Sequence, residues 1–328
     1  MTPVGWRRWL PGAVLVVVGL SLLALPGVAD NYIVYVMTRL FVYVLVALGL
    51  NLLTGYAGQV SLGHAAFFAI GAYTAAVLAE RQWPSLLCLV AAAFFTALVG
   101  YLLGLPCLRL SGLYLAMATL GFTLIVQEML LQLAVLTHGS EGMKVAPASL
   151  LGLTFDSDAR KYYLLLVVTV AMLVFARNLV KGRLGRAFLA IRDNERAAAA
   201  MGVNLARYKT IAFAVSALYT GLAGALSAFI VGFLDPQEFS FFLSIQFITI
   251  IILGGLASLL GSVLGACFLI FLPELLAGLD VWQALVYGLI MVVTILFMPF
   301  GLSGAIRRYA FRWFGIGAEP MIPRRLGH

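Results

Sequence analysis

Charge is what this chain has least of. Asp, Glu, Lys and Arg make up 10% of the 328 residues, there are 3 His and 3 Cys, and 63% of the residues are hydrophobic. A water-soluble domain carries about 25% charged residues, so a soluble globule is excluded. Cys88, Cys107 and Cys267 all fall in apolar stretches and read as small hydrophobes, not as a disulfide framework. His64, His138 and His328 lie in separate regions, so no metal-spaced cluster forms, and no paired acids or nucleophile with a neighbouring base appears. The phosphate loop GxxxxGK[ST] is missing, and Gly never precedes Lys. Catalysis and nucleotide binding by this chain are therefore not expected, and the chain is not read as an enzyme.

What is present is apolar length. Windows of bilayer-spanning size fall at 10–29, 32–53, 60–79, 85–105, 111–136, 162–178, 210–232, 242–260, 262–279 and 282–299. The expected fold is an all-α polytopic membrane protein of about ten transmembrane helices, with a broken or re-entrant Gly-rich segment and a short cytoplasmic helix. Basic residues orient it. With the N-terminus inside, sixteen Lys and Arg collect on inner segments, at Arg7–Arg8, Arg109, 177–209 and from Arg307 onward, against four outside. Both termini are then cytoplasmic. The net charge of +8 is thus explained by topology, without nucleic acid. Arg7–Arg8, an apolar run and Gly27-Val28-Ala29 also imitate a cleavable signal peptide, and a retained helix is the preferred expectation. Residues 1–31 are assigned to that helix, 32–304 to the main membrane domain and 305–328 to a basic tail.

Only Arg39, Glu128 and Glu274 are ionisable groups placed clearly inside apolar windows, too few for a proton or ion relay. Arg39 can snorkel outward and Glu274 can reach the interface, whereas Glu128 sits deeper and is weighed as a functional group against an interhelical pair. Uncharged polar residues cluster instead. Residues 51–74, NLLTGYAGQVSLGHAAFFAIGAYT, mix Gly with Asn51, Gln59, Ser61, His64 and Tyr73. Irregular backbone at membrane depth must be buried in protein or line a wet cavity, so a path for solute beside this segment competes with close helix packing. Thr119 and Gln246 complete the candidate path residues. A second interruption, GGLASLLGSVLG, spans 254–265.

The one long inner loop, 179–209, is patterned. Leu184, Phe188 and Ile191 recur at helical spacing. Asp193 or Asn194 then caps a short helix, Glu195 suits its N-terminus, 197–200 are alanines and Gly202 stops it. With Arg192, Arg196, Ala198 and Met201, this segment has the form of a knob that docks on a partner. A solvated loop helix is the bland alternative.

The segments GYAGQVSLGHAAFFAIGAYTAA (55–76), LPCLRLSGLYLAMATLGF (105–122), GRAFLAIRDNERAAAAMGVNLARYKTIAFAVSALYTGLAGAL (185–226), ILGGLASLLGSVLGA (252–266) and MPFGLSG (298–304) resemble the LivM-type permeases of branched-chain amino acid ABC importers. The resemblance implies a subunit of the bacterial inner membrane that pairs with a LivH-like permease. Two ABC ATPase subunits binding ATP and Mg, and a periplasmic substrate-binding protein, would complete the importer. No cofactor is then bound by this chain. The segment 194–201 resembles the coupling helix of ABC permeases, although Arg196 stands where an acid is usual and Glu195 is one residue early. Permeases for urea and short amides are similar, and a stand-alone channel is the remaining alternative.

Overall fold

The computed structural model describes residues 10–108, 110–150, 153–155, 157–297 and 301–305. Arg7, Arg8, Arg109 and the basic tail beyond 305 lie outside the described residues. In chain order the helices are α1 (Leu10–Val28), α2 (Asn31–Leu50), α3 (His64–Glu80), α4 (Ser85–Cys107), α5 (Leu113–Gln132), α6 (Ala134–Thr137) and α7 (Asp158–Lys181). They continue as α8 (Arg183–Asp193), α9 (Glu195–Ala200), α10 (Leu205–Val231), α11 (Phe241–Gly254), α12 (Leu259–Leu275) and α13 (Gln283–Phe297). The chain is an all-α membrane protein.

Every expected apolar window holds a helix, but they differ in reach. Asn31–Tyr56, Ser85–Cys107, Leu113–Gln132, Asp158–Lys181 and Leu205–Val231 are long and apolar enough to cross a membrane, while α3, α11 and α12 are shorter. The 14 residues of α11 extend only about 21 Å, less than the roughly 30 Å hydrocarbon core.

The tightest packing surrounds α10. Its small residues let three helix backbones approach: a Cβ on Gly71 of α3 would collide with the Gly221 backbone, one on Gly224 with Phe68 of α3, and one on Gly100 of α4 with Ala217. Helix–helix association in lipid lacks the water-driven term, so such close approach and its dispersion contacts take over. Gly71 therefore packs within a helix and does not interrupt one.

Helix α1 shows how backbone is satisfied here. Pro26 has no N–H to offer Leu22, and its ring disturbs the next turn. The Tyr162 hydroxyl donates to the Leu22 carbonyl (2.8 Å) and the Tyr163 hydroxyl to that of Leu23 (2.9 Å), so two carbonyls at the proline turn each gain a donor from α7.

Among the described residues the loops gather at two ends. At one end lie the start of α2, the ends of α3, α10 and α12, and an antiparallel pairing of Met143–Lys144 with Phe233–Leu234. At the opposite end α8 and α9 meet the residues joining α2 to α3, and Gly301 packs against Gly255 between α11 and α12.

Candidate functional site

The site at the α8–α9 end begins with the way α2 stops. Its last turn widens into a π-helix at Asn51–Tyr56, and 57–63 is irregular before α3 starts at His64. The expected interruption over 51–74 is thus confined to a π-turn and seven residues. Likewise 254–265 narrows to a turn at 255–258, because Ser258 caps α12 by accepting from the Gly261 N–H (3.0 Å).

Asn51 joins the two breaks. Its Nδ2 donates to the Ser258 carbonyl (2.9 Å) and to Ser262 Oγ (2.8 Å), while its Oδ1 accepts from the Ala257 N–H (2.9 Å). One amide thus spans more than 200 residues of sequence and uses both its ends. Ala257 has φ +56, a left-handed conformation costing about 1–3 kcal/mol in a residue with a Cβ, and the Asn51 bond helps hold it. Gly55 is needed here because a Cβ would run into Asn51 Oδ1 and the Ala257 nitrogen.

Hydroxyls pin the irregular segment. The Leu62 N–H donates to Thr119 Oγ1 (2.9 Å), the Thr123 hydroxyl donates to the Leu62 carbonyl (2.9 Å), and the Ala65 N–H donates to Ser244 Oγ (3.0 Å). The Gly63 N–H donates to Ser61 Oγ (3.2 Å) and the Thr54 hydroxyl to the Gln59 carbonyl (3.0 Å). At His64, Ser216 gives its one hydrogen to the Gly49 carbonyl (2.7 Å), so the 2.7 Å contact is made by His64 Nε2–H donating to Ser216. Nδ1 is then an acceptor, and it has no partner.

Six of the seven candidate path residues are placed inside the chain. Asn51, Gln59, Ser61, His64, Tyr73 and Thr119 are buried, all six at 4% exposure or less, and Gln246 is exposed on α11. Asn51, Gln59, Ser61, His64 and Thr119 meet around the first break, whereas Tyr73 packs against Phe239 nearer the opposite end (5.8 Å between rings). Gln59 Oε1, His64 Nδ1 and the Tyr73 hydroxyl are buried without a hydrogen-bond partner.

The loop helix sits on this clamp. Phe188 and Ile191 of α8 are buried, Leu184 is half-buried, and Arg192 donates from a guanidinium nitrogen to the Gly55 carbonyl (2.7 Å). Gly58, at φ +70, lies against the Arg192 stem. Asn194, not Asp193, caps α9 by accepting from the Ala197 N–H (3.1 Å), and Gly202 ends it at φ +83. Glu195 pairs with the buried Lys209 ammonium of α10 at 2.7 Å. Ala198 is 4% exposed and faces the chain itself, while Met201 is 85% exposed. Arg196 and the alanines at 197, 199 and 200 are also exposed. The exposed face of α9 is therefore Arg196, Met201 and their neighbours, with Ala198 turned against the body of the chain.

The three membrane-level ionisable groups part company. Glu128 accepts from Gln132 on its own helix (2.8 Å), where sequence reasoning weighed an interhelical pair; both are exposed, so the i,i+4 spacing is sufficient explanation. Glu274 accepts from the Tyr32 hydroxyl across α12 and α2. Arg39 lines a cavity at the far end. Among the described residues no group of three His, Cys, Asp or Glu could hold a metal.

Residues 32–296 match the family described as branched-chain amino acid transport system / permease component. The chain is 35% identical over 318 residues to the high-affinity branched-chain amino acid transport permease LivM of Escherichia coli K12, covering 88% of this chain and 74% of the relative. It is 35% identical to LivM of Salmonella typhimurium (85% and 72% covered) and 26% identical to BraD of Pseudomonas aeruginosa (80% and 91%). No solved structure matches significantly. A clamped pair of helix breaks, a capped loop helix and a family match over most of the described chain lead to one assignment: the protein belongs to the permease family of branched-chain amino acid transport systems.

Proposed function

We propose that this chain is the LivM-type subunit of an ATP-driven importer for leucine, isoleucine and valine in a bacterial inner membrane, with both termini cytoplasmic. It forms the translocation path with a LivH-like permease. Two ABC ATPases carrying ATP and Mg drive it, and a periplasmic binding protein delivers cargo.

The observation that carries this reading is the loop helix, fixed to the body and exposed at its tip. Glu195 is paired with Lys209, and Arg192 reaches into the first break at Gly55, so force applied to Arg196 and Met201 passes directly to backbone at the α2–α3 junction. Asn51 carries it onward to the α11–α12 turn. Transmission through such contacts needs an element with two discrete arrangements, and the irregular segments 57–63 and 255–258 fill that role. The unpartnered acceptors of Gln59 and His64 support a second arrangement in which they meet water or solute.

The test is to tag the chain, express it with its partner subunits and purify. A paralogous permease and two ATPases should co-purify, and proteoliposomes should accumulate leucine only with ATP and loaded binding protein. Met201→Glu should leave the permease pair intact while lowering ATPase recovery about tenfold, the equivalent of 1.4 kcal/mol. Uphill uptake by the chain alone, or full ATPase recovery with Met201→Glu, contradicts the proposal.

A further inference from the structure

We infer that the cavity at the end opposite the loop helix is a subsite for a zwitterionic amino acid with an apolar side chain, with Arg39 receiving the carboxylate and Glu238 the ammonium. The inference rests on the permease reading and adds to it the residues that would hold the cargo.

The cavity of about 410 Å³ lies among α2, α3, α10, α11 and the turn Pro236–Phe239. It exists because α11 begins low. Phe239, just before α11, packs on Phe68 (6.0 Å between rings), and Phe247 packs on Phe68 (5.6 Å) and Tyr43 (5.7 Å). Phe68 is twelve residues from the end of α3, about 18 Å along its axis. A helix that starts at that level leaves space above its first turn.

The lining divides by chemistry. Tyr43, Phe68, Phe239 and Phe247 give an aromatic floor, of which the three phenylalanines are buried. Arg39 enters from α2, about 12 Å past the helix start, and Glu238 enters from the turn. Among the described residues neither makes an ion pair, with the other or with any third group. Opposite charges in one cavity without mutual contact present a donor and an acceptor to one ligand, and a guanidinium suits a carboxylate in particular. Urea could hydrogen-bond to either group but would form no ion pair and leave the aromatic surface uncovered, whereas leucine, isoleucine and valine carry both charges and an apolar side chain. A few convergent polar groups on an apolar wall is the usual build of a small-molecule site.

The test uses the assembled importer in proteoliposomes with its leucine-loaded binding protein. Arg39→Gln and Glu238→Gln should keep assembly but lower leucine moved per ATP hydrolysed about tenfold, the equivalent of about 1.4 kcal/mol. Arg39→Lys should recover part of the loss. A diazirine analogue of leucine, delivered by the binding protein, should label the segments holding Tyr43 and Phe239. Assembled Arg39→Gln complex with undiminished leucine per ATP, or labelling confined to other segments, overturns the subsite and leaves the permease reading standing. If the wild-type complex moves no leucine with ATP, the permease reading falls, and the subsite with it.

Discussion

The two ends of this molecule treat polar groups in opposite ways. At the loop-helix end, Asn51 uses both ends of its amide, and the Leu62, Gly63 and Ala65 N–H groups each find a hydroxyl. At the other end Arg39 and Glu238 share an open cavity and leave each other unpaired. Side-chain hydrogen bonds tie the irregular backbone of the first break to α5, α11 and α12, while Gln59 Oε1 and His64 Nδ1 beside it keep no partner. On the proposed reading the bonded groups carry displacement and the unpaired charges of the cavity receive cargo. The difference teaches that, on that reading, transmission and reception occupy separate ends of one helical subunit.

The comparison breaks most severely at Asn51. Asn51→Leu removes three hydrogen bonds and strands the Ala257 N–H, while the Ser258 carbonyl keeps the Ser262 N–H, so a loss of about 3 kcal/mol is expected. Thermal denaturation of the detergent-solubilised complex should show a clear fall in midpoint, and an unshifted midpoint would mean that the two breaks hold together without this amide.

Arg192→Ala sharpens the contrast at lower cost. It deletes one charge-assisted bond to the Gly55 carbonyl, worth about 1.5–3 kcal/mol, on a residue otherwise outside the core. Assembly should persist while leucine uptake per ATP hydrolysed drops, with Arg192→Lys intermediate. Equal uptake per ATP in Arg192→Ala and the wild type would remove Arg192 from the joint.

The smallest effect is expected at the Glu195–Lys209 pair, in which the Glu195 side chain is 42% exposed and that of Lys209 5%. A double-mutant cycle with Glu195→Gln and Lys209→Met should give a coupling of roughly 1 kcal/mol, screened by salt on the exposed side. Zero coupling would show that Asn194 capping and Ala198 packing alone seat α9.

How much of this was legible beforehand differs by element. Helix positions followed from apolar runs, and the α9 cap was narrowed to Asp193 or Asn194 and its stop to Gly202, because both signals are local; the structure chose Asn194. Arg39 was read as a residue that turns away toward the interface; nothing near it in sequence signals Glu238, 199 positions later, as its neighbour in a cavity. The role of Glu195 was likewise hidden, since its partner Lys209 lies on the next helix. An odd basic residue in an apolar window, with an acid at a distant Pro-containing turn, was the only available hint of the cavity.

By itself the sequence determined that this chain lives in a membrane, which stretches are helical and where the short loop helix begins and ends, because composition, 3.6-residue periodicity and capping act over a few residues. Only the tertiary structure decided that the two Gly-rich breaks meet through Asn51, that Ala198 faces inward and Met201 outward, and that a low-starting α11 opens a cavity beneath Arg39. Those outcomes depend on which helix backbones approach one another. That is set by the shape of small residues on α10 and its neighbours, through contacts that join positions far apart along the chain.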